Sequence, residues 1–332
     1  MKITSKSDRT IGRRKELGPQ LPLEQPHVIL LDPSSSCNLR CKFCPTGDPD
    51  LIRETKRFQG QMRINTFEKI VGDINKFKKP LSILRLYKEG EPLLNKDLGK
   101  FIKLAKESNI KRVDTTTNGI ALTQRRAEEL IESGIDQINI SLNGLTKKQY
   151  TNYTQREISA EKLIEQILYL CEISGQTLIY VKCIKEHLSI EDQETFYSIF
   201  EGKADKVFLE GLQPNWPKFE FDYIAPSYET GHYGQEMTQR EICPFIFYMM
   251  VINSDATCSA CVQDWNHELI VGNANTDSIS DIWHGKALKE LRLLHTDGKR
   301  CCKSNCAECP VLLHGCLDNI DKYAPRLKEI FK

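Results

Sequence analysis

The chain is predicted to be an α/β protein: a partial (β/α)6, TIM-like barrel followed by a smaller C-terminal region built from a β-hairpin and helices. Three observations predict this. Short β-branched runs alternate with amphipathic helical patterns along the first two thirds of the sequence. Strand–helix repetition at that spacing means right-handed β-α-β units and a parallel sheet, with functional loops at the C-terminal ends of the strands. The thirteen cysteines form two groups, three at positions 37 to 44 and eight between Cys243 and Cys316, with only Cys171 and Cys183 between them.

The elements follow in order. Strands are expected at residues 27–33, 83–87, 112–116, 137–141, 178–184 and 206–212. Helices are expected at 66–77, 97–108, 123–133, 160–173 and 190–200, where apolar residues such as Phe101, Leu104 and Ala105 recur at three- and four-residue intervals. Asn95, Thr123 and Ser189 stand where N-caps belong, and Gly134 stands where a helix C-cap belongs. The resulting division is a basic N-terminal extension (1–26), the barrel (27–213), an aromatic linker (214–242) and the cysteine-rich C-terminal region (243–332).

Composition narrows the function. The 332 residues are 40% hydrophobic and 27% charged, as in ordinary soluble globular proteins. Lys plus Arg number 46 against 45 Asp plus Glu, so bulk charge argues for neither nucleic acid nor an anionic membrane as partner. The basic run Lys2, Lys6, Arg9, Arg13, Arg14 and Lys15 reads as a solvated tail. No apolar stretch has the length of a membrane span, and no signal peptide is visible, which places the protein in the cytoplasm. In that compartment thiols stay reduced, so cysteines in two groups suggest two metal sites rather than disulfides.

The first group, Cys37-x3-Cys41-x2-Cys44, follows the first strand directly. Three thiolates can hold three corners of an iron–sulfur cube and leave one iron without a protein ligand. A zinc site with a fourth ligand elsewhere is the competing possibility, though the spacing is unusual for zinc. The next three strands run into Lys88-Glu89-Gly90-Glu91-Pro92, Thr117-Asn118-Gly119 and Ser141-Leu142-Asn143-Gly144, which put polar side chains on the same rim. Glu91 could also be a helix-entry carboxylate, and Asn118-Gly119 an ordinary turn pair.

With these residues the chain resembles a radical S-adenosylmethionine (SAM) enzyme. The cysteine loop matches the family's cluster motif, with Phe43 as the aromatic residue before the last cysteine. Glu89-Gly90-Glu91-Pro92 resembles its Gly-Gly-Glu-Pro motif, with Glu89 in place of the first glycine. The resemblance implies a [4Fe–4S] cluster on Cys37, Cys41 and Cys44 whose open iron is chelated by SAM. Reductive cleavage then gives a 5′-deoxyadenosyl radical that abstracts hydrogen from carbon. It further implies that Glu91 accepts hydrogen bonds from the methionine amino group, that Phe43 packs near the adenine, and that Asn118 and Ser141 contact methionine or ribose. A flavodoxin- or ferredoxin-like reductant is the implied partner. Lys182, in the fifth strand, points either into the barrel mouth toward SAM or substrate, or along an edge to water.

The C-terminal region starts at Cys243-Pro244, passes an apolar segment and a turn at Asn253-Ser254-Asp255, and returns through Cys258 to Cys261, the pattern of a hairpin. It resembles the SPASM and twitch auxiliary-cluster modules of radical SAM enzymes, with Ala256 where their motif has glycine. By that resemblance Cys243, Cys261, Cys306 and Cys309 bind one auxiliary [4Fe–4S] cluster, leaving Cys258, Cys301, Cys302 and Cys316 spare; two clusters or a zinc-binding tail are the alternatives.

Three substrate classes stay open at this point. Oxidation of a sugar or aminocyclitol alcohol would pass its electron to the auxiliary cluster. Epimerisation would need a hydrogen-atom donor, for which Cys258 is the candidate. Peptide modification is the third, but about 26 residues before the first strand are too few for a leader-binding domain. The aromatic linker, with Trp216, Phe219, Phe221, Tyr223, Tyr228, His232 and Tyr233, suits stacking on a sugar face and equally suits packing on the barrel. These features favour a sugar or cyclitol. The non-enzymatic reading is an iron–sulfur electron carrier or a metal-dependent scaffold.

Overall fold

The computed structural model describes residues 15–221, 230, 231 and 235–332. Six parallel strands appear where β-branched runs occur: β1 Val28–Leu31, β2 Ile83–Leu86, β3 Val113–Thr117, β4 Gln137–Leu142, β5 Leu178–Ile184 and β6 Lys206–Glu210. The helices α1 Pro49–Thr55, α2 Ile64–Ile74, α3 Leu98–Lys106, α4 Gln124–Glu132, α5 Lys147–Thr154, α6 Ala160–Glu172 and α7 Ile190–Phe200 lie in the connections. The sheet curves without closing, because β1 and β6 do not pair.

Local chemistry sets the helix ends. Thr123 caps α4 through its hydroxyl, and Ser189 closes a capping box with Asp192 at α7. Asn95 is not the cap of α3; Asp97 precedes that helix, while Asn95 donates to the Pro33 and Met62 carbonyls and so ties the β2 loop to the β1 loop. Two helices escaped the sequence pattern because each is short and mostly polar. α1 is capped by Asp48, and α5 by a Thr146–Gln149 capping box.

Alternation along the strands divides the sheet into two faces. Ile29, Leu31, Ile138, Ile140, Leu142, Ile179 and Val181 point to the helices and join Phe67, Phe101, Leu130 and Ile167 in one core. Phe67 of α2 and Phe101 of α3 stack with centroids 4.2 Å apart. The residues between them point inward and, apart from Leu30, are polar. Arg85 lies 3.7 Å from Asp114 and donates to the Tyr87 hydroxyl at 3.0 Å, and Lys182 pairs with Glu210.

The C-terminal hairpin is not a detached module. After α8, Phe245–Tyr248, strand β7, Met249–Ile252, pairs in parallel with β1, from Val28 opposite Met249 to Leu31 opposite Ile252. β8, Thr257–Ser259, and β9, Ile270–Asn273, follow antiparallel, giving one nine-stranded sheet in the order β6-β5-β4-β3-β2-β1-β7-β8-β9. The outer edge of β1 would otherwise expose unpaired backbone groups, and β7 supplies their partners. Helices α9 Ile279–His284, α10 Lys286–Thr296, α11 Ser304–Ala307, α12 Val311–His314 and α13 Ala324–Phe331 complete the chain. No helix among the described residues is long and apolar enough to cross a membrane.

Candidate active site between two thiol clusters

The loop after β1 carries Cys37, Cys41 and Cys44, and the neighbouring loops hold it from both sides. Glu91 N–H donates to Ser36 O at 2.9 Å, and Ser35 exchanges hydrogen bonds with Gly60. The β2 loop lies so close that a Cβ on Gly90 would sit 2.0 Å from the Ser34 carbonyl and 2.4 Å from that of Ser36, so only glycine fits. Cys44 lies near enough to raise the pKa of both Cys37 and Cys41, and Cys37 also raises Cys41. Burial pushes Cys37 up to about 12, and burial and the neighbouring Cys44 and Cys37 raise Cys41 well above the ordinary thiol value. Three partly buried thiols that resist ionisation beside one another are what a cationic iron centre would relieve.

The predicted rim residues converge here. Glu91 is 2% exposed, and its carboxylate already accepts from Leu93 N at 2.9 Å, Thr117 Oγ1 at 2.5 Å and Asn118 N at 2.8 Å. These bonds pin the β2 and β3 loops together and leave the carboxylate acceptor capacity on its second oxygen. Asn118 faces the cysteines, its side-chain N–H donating to Asn38 Oδ1 at 2.8 Å and lying 3.8 Å from the Cys37 sulfur. Ser141 is on the inward face of β4, opposite Lys182 of β5. Lys182 also faces inward but is committed to Glu210, which corrects the alternative of an edge position reaching water. Phe43 lies 5.7 Å from the His187 ring, which stacks on Tyr153 at 3.7 Å, an aromatic wall beside the cysteine loop.

The second thiol group forms a separate site. Cys243, Cys261, Cys306 and Cys309 surround one cavity, together with Asp264, His295 and Arg300. Cys261 is raised well above the ordinary thiol pKa by burial first, then by Cys243, Cys309 and Cys306. Among the described residues no group of three or more His, Cys, Asp or Glu converges as it would on a single metal ion. Four thiols around one cavity match the ligand count of a [4Fe–4S] cluster. Nε2 of His295, which also lines the cavity, is buried without a hydrogen-bond partner in the protein. Cys316 is fully buried, packs on Cys243 and Cys309 and shares a side-chain hydrogen bond with Cys243, whereas Cys301 and Cys302 are exposed.

Cys258 is displaced from its proposed role. It is fully buried in the helix-facing core, and its thiol donates to Ala256 O at 3.7 Å. The adjacent Ser259 takes the inward position, bonded to Asp264 at 2.8 Å, so strand alternation turns Cys258 away from any substrate. In the linker, Pro217 O accepts from the Trp265 indole at 2.7 Å and Phe219 packs edge-on against that ring. That part is packing against the C-terminal region; Tyr223, Tyr228, His232 and Tyr233 lie outside the described residues.

A buried ionic network that the sequence did not reveal joins the two thiol sites. Arg57 donates to Thr46 Oγ1 at 2.8 Å, two residues beyond Cys44, and to Trp265 O at 2.6 Å, and it pairs with Glu89 at 2.9 Å. Glu89 also pairs with Lys88 and lies 3.0 Å from His267 Nε2. Lys88 continues to Asn253 Oδ1 at 2.7 Å and to the carbonyl of Asp264, a residue lining the second cavity. Burial alone would raise Glu89, but the charge of Lys88, the His267 hydrogen bond and the charge of Arg57 outweigh it and hold the carboxyl at about 2. The glutamate in place of the motif's glycine is thus the centre of the junction. Asp32, just after β1, shows the opposite balance: burial and the Glu89 charge outweigh the charges of Lys88 and Arg57 and the Glu89 backbone N–H, and raise it to about 7. Only Lys88 and Glu89 had a signal in the sequence, as charges inside a strand-end motif; Arg57 and Asp32 had none.

Comparison with known proteins agrees with this geometry. Residues 31–183 match the family model of the radical SAM superfamily, and residues 243–310 match that of an iron–sulfur cluster-binding domain, SPASM. The chain is 31% identical over 235 residues to the "Probable GTP 3',8-cyclase" of Methanococcus maripaludis, covering 60% of this chain and 76% of that protein. It is 30% identical over 158 residues to the protein of the same name in Methanococcus vannielii, covering 47% of this chain and about half, 48%, of that protein. Among solved structures, BtrN in complex with AdoMet and 2-DOIA has the same fold, with a TM-score of 0.55, 18% identity, and coverage of 86% of this chain and 92% of that one. The chain belongs to the radical SAM superfamily and carries a C-terminal SPASM iron–sulfur cluster-binding domain.

Proposed function

We propose that this radical SAM enzyme oxidises a hydroxyl-bearing carbon of a small polar molecule of the sugar or aminocyclitol kind. Cys37, Cys41 and Cys44 would hold the SAM-binding [4Fe–4S] cluster, and Cys243, Cys261, Cys306 and Cys309 the auxiliary one. When bound, these groups supply a hydrogen-abstracting 5′-deoxyadenosyl radical and an acceptor for the electron left on the substrate.

One observation carries the proposal: the hydrogen-bonded chain Thr46–Arg57–Glu89–Lys88–Asp264 runs from the first thiol site to the second. A site with an initiating and an accepting end suits net oxidation. The side chains supply the rest. Oxidising an alcohol removes a hydrogen atom from carbon, a proton from oxygen and one electron; Asp32 is the proton acceptor, buried and poised near neutrality. Arg57, Lys88 and Glu89 exclude water from the junction and fix its charges. The inward ring of Arg85, Asp114, Asn139, Lys182 and Glu210 offers hydrogen bonds suited to a polyol.

The test is anaerobic reconstitution followed by reduction with SAM. The protein should release 5′-deoxyadenosine, Cys41→Ala should release none, and deuterium from a carbon-labelled aminocyclitol should enter 5′-deoxyadenosine while a ketone forms. A second reading is favoured by the relatives named GTP 3',8-cyclase, namely a nucleotide substrate. Deuterium transfer from ribose-labelled GTP, with none from the aminocyclitol, would establish that reading and refute the first.

A further inference from the structure

His295 sits in α10, is 1% exposed and lines the cavity that Cys243, Cys261, Cys306 and Cys309 surround. The backbone N–H of Cys243 donates to its Nδ1 at 3.2 Å. A neutral imidazole has one donor and one acceptor nitrogen, so with Nδ1 accepting, Nε2 carries the proton. That N–H is buried and has no acceptor in the protein. Buried donors are almost always satisfied, and an orphan needs an explanation. The cavity it lines is ringed by sulfur, and a bound iron–sulfur cluster would add sulfide acceptors beside those thiolates.

We propose that His295, through Nε2–H, donates a hydrogen bond to a sulfur of the auxiliary cluster and so raises its reduction potential. The physical reason is electrostatic. A donor directed at a cluster sulfur stabilises the more negative, reduced state, and hydrogen bonds to sulfur are a principal control of iron–sulfur potentials. The same ring holds the backbone of Cys243, so one side chain both places a ligand and tunes the group it binds. His295 is a positioning residue whose effect is to make the auxiliary cluster a better acceptor. The inference rests on the reading of these four cysteines as cluster ligands.

The experiment uses the full chain with Cys37, Cys41 and Cys44 changed to alanine, so that only the auxiliary cluster remains. It is labelled with 15N-histidine, reconstituted anaerobically and reduced with dithionite. Pulsed EPR should show a weakly coupled 15N nucleus that disappears in His295→Leu, and a cluster without that coupling in the parent overturns the proposal whether or not the variant folds. Redox titration should show the potential falling in His295→Leu by about 59 mV, a tenfold loss in the one-electron reduction equilibrium. His295→Gln, which keeps an amide N–H donor, should recover much of that shift. An unchanged potential in His295→Leu also overturns the proposal. If the parent binds no cluster at all, it is the ligand assignment that fails, a result distinct from a cluster lacking the nitrogen coupling.

Discussion

Replacing Glu89 by glutamine tests whether the junction between the thiol sites is ionic in the way the geometry shows. The substitution keeps the size of the side chain and one carbonyl oxygen but removes the charge that Arg57, Lys88 and His267 surround. Two routes give its magnitude. A carboxyl held at about 2 instead of the ordinary 4.5 corresponds to roughly 3 kcal/mol of preferential stabilisation of the charged form. Independently, removing one partner from a buried ion pair typically costs about 3–5 kcal/mol, because the other charge is left uncompensated. Both side chains of the Glu89–Arg57 pair are shielded, at 1% and 0% exposure, so solvent screening takes little away. With a urea slope of about 3 kcal/mol/M, expected for a chain larger than most in which slopes are measured, the unfolding midpoint at pH 7 should fall by about 1 M. Because the folded pKa is depressed, this stability is present above about pH 4.5 and is lost as the pH drops toward 2, so the gap between wild type and Glu89→Gln should narrow on acidification. A midpoint within about 0.2 M of wild type at pH 7, in urea unfolding followed by circular dichroism, or a gap that does not depend on pH, would refute the reasoning.

Asp32 should show the opposite sign: its folded pKa is raised to about 7, so the native state binds a proton that the unfolded chain releases near pH 4, and stability declines from about pH 4 to 7. Asp32→Asn should abolish that decline and be more stable at pH 8 by up to about 4 kcal/mol, read as the difference in unfolding free energy between the two proteins across pH; parallel profiles would count against the assignment. Ala256 adopts φ +70° at the position where the auxiliary-cluster motif has glycine. Ala256→Gly should therefore stabilise by about 0.5–1 kcal/mol, seen as a higher melting temperature, and a lower one would show that the buried methyl matters more than the strain. Cys258→Ala should leave 5′-deoxyadenosine release and product formation unchanged, because its thiol faces the helix layer; a loss of product with SAM cleavage intact would restore it as a hydrogen-atom donor.

Much of the fold was legible in the sequence because local rules governed it. The alternation of strands and helices, the Thr123 and Ser189 caps and the positive φ at Gly134 follow from periodicity and turn chemistry within a few residues. Helices α1 and α5 were not legible, since each depends on a cap and a few polar turns rather than on an apolar stripe. The thiol groups were legible as sets, because cysteine spacing is a chemical signal even before the chain folds. Their surroundings were not. Arg57 meets Trp265 across 208 residues, and Glu89 meets His267 across 178.

By itself, the sequence determined the parallel α/β architecture, the three-thiol loop at the end of β1 and a second thiol set near the C-terminus. Only the tertiary structure decided that β7 extends the barrel sheet beside β1, that Glu91 pins loops together, that Lys182 is paired with Glu210, and that Cys258 faces the core. It also decided that Glu89 is the centre of a buried ionic junction and that His295 carries an unmatched N–H at the second cavity. The physical reason is common to all of these. Strand periods, caps and ligand spacing are set by neighbours along the chain, whereas burial, charge pairing and hydrogen-bond satisfaction depend on which distant residues the fold brings within a few ångströms.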